Sequence, residues 1–200
     1  MKYRKRRRFR RRRLRRYRRK KRVFSERVKI FKLRRVYDAV VPAAGASLNA
    51  TVTDDPSNSQ DWANIVGLFD MYRVAAIKVH FVPNANTREA PSVFGQFGFR
   101  PVYCAHDTDL IDVPLSVNNI IQYENMKVKN SFTPWVYYRK MARRITTTNQ
   151  TTLDGRGYLS TTTPASTQQL LFLFENFNGP ANYYFGRFVI THYVCARNRN

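Results

Sequence analysis

Acidic residues are scarce in this chain, and its first 22 positions have none at all. Against 13 Asp and Glu the 200 residues carry 36 Lys and Arg, of which 17 fall in residues 1–22. Such a segment, with only Tyr3, Phe9, Leu14 and Tyr17 as apolar relief, cannot bury enough surface to offset the entropy of ordering. Cysteine is rarer still. Cys104 and Cys195 are far apart and form no CxxC pair, which excludes a disulfide scaffold and reads each as a small buried hydrophobe. Long apolar runs are missing too: the longest, residues 170–174, falls far short of the roughly 20 residues of a membrane span or the roughly 7 to 15 of a secretory signal core. No membrane insertion is expected.

The sequence also lacks the residue patterns that chemistry requires. His80, His106 and His192 are scattered, with no partner at metal-ligand or triad spacing. Neither phosphate-loop signature, GxGxxG nor GxxxxGK, is present. Asp107, Asp109 and Asp112 cluster, but their spacing fits no standard Ca²⁺ loop. The expectation is therefore a non-enzymatic protein with no catalytic residue, no metal and no cofactor.

What is present in quantity is positive charge, and its place matters more than its amount. With residues 1–35 set aside as an arm, 14 cations and 12 acids remain in residues 36–200, a net +2 out of the chain's +23. The basicity belongs to the arm, and its partner must be a polyanion. The candidate nucleic-acid contacts are Arg4, Lys5, Arg6, Arg7, Arg8, Arg10, Arg11, Arg12, Arg13, Arg15, Arg16, Arg18, Arg19, Lys20, Lys21 and Arg22. Arginine forks pair with phosphates bidentately, and Tyr3, Phe9 and Tyr17 are placed to stack on unpaired bases. Basic runs such as residues 4–8 and 18–22 also fit nuclear localisation signals read by host import receptors. Arg34, Arg35, Arg139, Lys140, Arg143 and Arg144 form a candidate secondary basic patch.

Beyond the arm the pattern changes to alternation. Phe31, Leu33, Tyr37, Ala39 and Val41 share one face of a first strand, with Lys32, Arg34 and Asp38 on the other. Residues 42–60, rich in Pro, Gly, Ser, Asn and Asp, read as an exposed connection. Trp62, Ile65, Leu68 and Phe69 mark a short helical turn. Ile77, Val79 and Phe81 alternate with Lys78, His80 and Val82 until Pro83. Further strands are expected over residues 94–104 and 132–141, with a short helix over 117–123 inside a long loop and a small strand near Tyr158. Two apolar runs, 170–177 and 183–196, split by Asn178, Gly179 and Pro180, give a hairpin signal. Both are apolar on both faces, which suits sheet centres. With no long segment of 3.6 period, the fold class is all-β, an antiparallel sandwich or jelly roll of six to eight strands.

Tyr72, Arg73, Lys78, Phe81 and Pro83, within LFDMYRVAAIKVHFVP at residues 68–83, form a Tyr-Arg-x-x-x-x-Lys-x-x-Phe-x-Pro pattern. Together with the arm, the polar-acidic loop after Cys104, the Trp135-Val136-Tyr137-Tyr138 strand and the closing aromatic runs, it resembles the capsid proteins of circoviruses and cycloviruses. The resemblance spans nearly the whole chain. It implies an eight-stranded jelly roll over residues 36–200 and self-assembly into a small icosahedral T=1 shell of about sixty subunits. It further implies packaging of circular single-stranded DNA, entry into the host nucleus and attachment to a host cell-surface factor. Composition alone also admits the coat protein of a small RNA virus, or a cellular basic nucleic-acid-binding protein; the near-neutral body counts against the latter.

Overall fold

A computed structural model describes residues 28–41, 43, 46–84, 101–108, 116–143, 146–147, 150–151, 156–175, 182 and 184–198. The alternation after Val28 becomes β1 (Lys29–Val40), with Leu33 and Ala39 buried and Lys32, Arg34 and Asp38 exposed. It is followed by β2 (Leu48–Thr53), α1 (Trp62–Val66), β3 (Met71–Pro83), β4 (Pro101–Asp107), α2 (Val117–Ile120), β5 (Lys127–Asn130) and β6 (Trp135–Lys140). The short β7 (Thr146–Thr147), β8 (Gln150–Thr151) and β9 (Leu159–Ser160) lead to β10 (Gln169–Phe174) and β11 (Tyr184–Arg197). Eight of these strands make two antiparallel four-stranded sheets in the orders β1-β11-β3-β6 and β2-β10-β4-β5, while β9 adds to β3 and β7 pairs with β8. Because the chain passes repeatedly from one sheet to the other, the architecture is the expected all-β jelly roll.

The sheets close on an aromatic core. Phe188 of β11 lies 5.2 Å from Phe81 of β3 and 5.2 Å from Phe172 of β10, and Trp135 of β6 stacks on Phe81 at 5.1 Å. β10 is buried on both faces. Phe172 and Phe174 point into the aromatic core, while Leu171 and Leu173 pack on the reverse side with Ala105 and Ile120 of α2. Full burial thus reflects a central strand with a helix over its back. β11 is central too, flanked by β1 and β3.

Three expectations are corrected. The connection over residues 42–60 contains β2, whose Leu48, Ala50 and Val52 alternate into the core. The loop after Cys104 begins later, because Ala105–Asp107 continue β4 and β5 follows α2. Most importantly, the last two apolar runs are not a hairpin: β10 pairs with β2 and β4, β11 with β1 and β3, in opposite sheets. Each run finds both of its partners in strands far away in sequence, in its own sheet, and pairing between distant strands overrides the local turn signal. Residues 94–100 of the expected fourth strand lie outside the described residues.

Candidate nucleic-acid interface

The arm's candidate contacts, Arg4 through Arg22 with Tyr3, Phe9 and Tyr17, lie outside the described residues, as does Arg144. The arm joins the fold at the sheet edge: residues 29–35, grouped with the arm by charge, are the first half of β1 and pair with β11 from Ala196 to Ile190. The folded body therefore starts earlier than residue 36.

Strand parity splits the secondary basic patch across two faces. Arg34 and Lys140 lie on the outer face of the β1-β11-β3-β6 sheet, and Arg35 and Arg139 on the inner side. Arg35 is half-buried, its Nε has no hydrogen-bond partner, and burial pushes its guanidinium below the ordinary arginine range, with Asp55 partly opposing. Arg139 is held by structure: its Nε donates to Tyr137 Oη at 2.9 Å, its Nη2 donates to the Asn125 carbonyl, and its Cζ sits 5.0 Å from the Tyr137 ring centroid. Arg143 is exposed on the segment after β6. Of the five described members of the patch, only Arg34 and Lys140 thus share the strand surface of this outer face.

Two further cations join them there. The register aligns Lys32–Tyr193–Ala76–Lys140 in one row across the four strands and Arg34–Thr191–Lys78–Tyr138 in the next. Lys32 Nζ lies 5.8 Å from the Tyr193 ring centroid, and Tyr193 meets Tyr138 edge-on at 6.2 Å. The acid among the described strand residues of this face is Asp38, which accepts from Arg187 Nε at 2.7 Å. Counted from Lys29, where β1 begins, the body carries 18 cations against 12 acids, a net +6, and part of that excess is gathered on this face. Lys32, Lys78, Tyr138 and Tyr193 are absent from the patch read in sequence. Their alternation shows which face of its own strand each occupies, but the register that aligns them is set by pairing over long distances.

Several of the remaining candidate groups are held in contacts within the fold. His192 is wholly buried, donating from Nε2 to the Thr53 carbonyl at 3.1 Å, and burial lowers its imidazole to about 4. His106 Nε2 contacts Gln168 Oε1 at 3.2 Å, and the Gln168 amide also donates to the Ala142 carbonyl at 2.9 Å. Asp107 is buried and accepts from Gln169 Nε2 at 2.9 Å; Asp109 and Asp112 lie outside the described residues. Both cysteines are free and buried, the Cys104 thiol being pushed up to about 12 by burial.

The family model for the circovirus capsid protein matches residues 2–200. The chain belongs to the circovirus capsid protein family. No curated protein sequence matches this family member. Its fold is similar to that of the decameric BFDV capsid protein, with a TM-score of 0.56 at 10% identity over 86% of this chain and 100% of that one. The BFDV capsid protein as a 60-mer gives a TM-score of 0.52 at 13% identity, covering 87% and 96%. Tobacco necrosis virus gives 0.56 at 10% identity, covering 86% and 96%. The jelly roll of this circovirus capsid family member is thus similar in fold to the tobacco necrosis virus structure as well as to the BFDV capsid protein.

Proposed function

We propose that this chain is a coat protein that assembles with itself into a closed icosahedral shell and packages circular single-stranded DNA on its arginine-rich arm. The observation that carries the reading is the union of a circovirus capsid sequence with 17 cations and no acid in residues 1–22. One structural relative is a 60-mer, and closed shells of about sixty subunits are the simplest icosahedral solution. The jelly roll forms the wall. The arm, at about 3.3 Å per extended residue, reaches up to roughly 70 Å and so spans a small lumen.

The arm binds phosphates through guanidinium forks, strongly in low salt and with no regard to sequence. Arms gathered inside a shell repel one another until a polyanion neutralises them, which couples assembly to packaging. Basic runs at residues 4–8 and 18–22 serve host nuclear import receptors, so the protein acts in the virion and in the host nucleus during assembly. Attachment of the particle to a host cell-surface factor completes the reading.

Negative-stain microscopy of the purified full chain, with ultraviolet absorbance ratio and nuclease digestion of the bound material, tests it directly. Uniform small shells holding DNase-sensitive single strands are expected. Failure to form particles at any salt or pH would overturn the coat-protein reading in favour of a small basic binding module.

A further inference from the structure

We propose that the outer face of the β1-β11-β3-β6 sheet is a second binding surface for single-stranded DNA, on which Tyr138 and Tyr193 stack unpaired bases while Lys32, Arg34, Lys78 and Lys140 hold backbone phosphates. The proposal rests on the packaging function above and adds a site in the folded body. The geometry carries it. The two cationic rows stand about 7 Å apart along the strands and extend roughly 14 Å across them. Each row contains one member of an aromatic pair, Tyr193 in the first and Tyr138, 49% exposed, in the second. None of the four cations pairs with a carboxylate among the described residues. An exposed tyrosine beside a half-buried one, both ringed by cations, supplies the elements of a sequence-tolerant single-strand site: a π-face for any base and point charges for the backbone.

Charge decides between occupants. The chain's own arm, with 17 cations and no acid in residues 1–22, is repelled from this face. A second copy meeting it isologously would set the same lysines and arginine against one another. A polynucleotide neutralises both rows, and β1 carries Lys32 and Arg34 only 10 and 12 residues beyond Arg22, where the dense basic stretch ends. DNA gathered by the arm is delivered to the sheet by the chain's own connectivity.

Photocross-linking of an iodouracil-substituted single-stranded oligodeoxynucleotide to the full chain, with mass-spectrometric mapping, tests this without any mutation. Cross-links are expected at Tyr138 and Tyr193 as well as within residues 1–27. In equilibrium binding, Tyr138→Leu with Tyr193→Leu weakens affinity roughly tenfold with the salt slope unchanged, and Tyr138→Phe with Tyr193→Phe restores it. Lys32→Gln, Lys78→Gln and Lys140→Gln together lower the salt slope by about 2. Cross-links confined to residues 1–27, with binding untouched by these changes, would overturn the sheet site and leave arm-driven packaging standing. No cross-link anywhere and no nucleic acid in the particles would overturn both.

Discussion

Single residues in this fold answer to local constraints that differ greatly in how far sequence reveals them. Gly186 has φ +150°, and a Cβ there would meet the Val82 carbonyl oxygen at 2.3 Å and Pro83 Cα at 2.8 Å. These are backbone atoms of the paired strand, so no side chain can move aside. Gly186→Ala should cost about 3 kcal/mol, read by chemical denaturation of the folded body; a loss below about 1 kcal/mol would show that the strands separate easily. His192 is legible as structural from its isolation, but not as a pH-sensitive group. Its imidazole stands at about 4 against an ordinary 6.5, chiefly because it is buried. Between those values the unfolded chain takes up a proton that the folded chain refuses, so its contribution is full above pH 6.5 and is lost as pH falls toward 4. The loss approaches about 1.4 kcal/mol per pH unit. Asp54, raised by burial, pulls the opposite way, so the comparison needed is parent against His192→Gln. The difference in unfolding free energy between them should shrink or reverse with acidification; parallel pH profiles would sink the assignment.

At the level of elements, parity was readable and pairing was not. The alternation in β1 and β3 names their inward residues correctly, because side-chain direction follows from position along the strand alone. β2 is hidden in the sequence because Pro, Gly, Ser and Asn around it mask a short period of two at Leu48, Ala50 and Val52. The final runs read as joined for the reverse reason: Asn178-Gly179-Pro180 supplies a local turn signal, while the choice of sheet is made by β2, β4, β1 and β3, far away in sequence. β6 shows what parity decides. Arg139 and Lys140 look equivalent as neighbouring cations, yet Arg139 secures Tyr137 and the Asn125 carbonyl while Lys140 faces outward. Arg139→Met should therefore destabilise the fold by about 1–3 kcal/mol and leave the salt slope of DNA binding unchanged. Lys140→Gln should do the opposite, shifting stability by no more than about 0.5 kcal/mol. Denaturation curves and salt titrations on the two variants check the pair, and equal destabilisation would mean that the two faces are misassigned.

For the whole molecule, the packaging function proposed above raises the question of what sets the amount of nucleic acid held. Each chain brings 17 cations in residues 1–22, so a shell of about sixty copies brings on the order of a thousand, enough to neutralise on the order of a thousand phosphates. The four cations of the sheet face add only about a quarter as many. Quantity should then follow the arm, while the sheet governs where the strand lies against the wall. Replacing Arg10, Arg11, Arg12, Arg13, Arg15, Arg16, Arg18 and Arg19 with glutamine removes 8 of the 17 arm charges. This should reduce packaged nucleotides per particle to about half, as read by the phosphorus-to-sulfur ratio of purified particles. The jelly roll should be untouched, because β1 begins only at Lys29. Unchanged nucleic-acid content in intact shells would show that something other than arm charge, such as the length of the genome itself, fixes the load. Empty but well-formed shells would place a threshold on the coupling: below some arm charge, wall formation no longer needs its polyanion because the arms no longer repel one another.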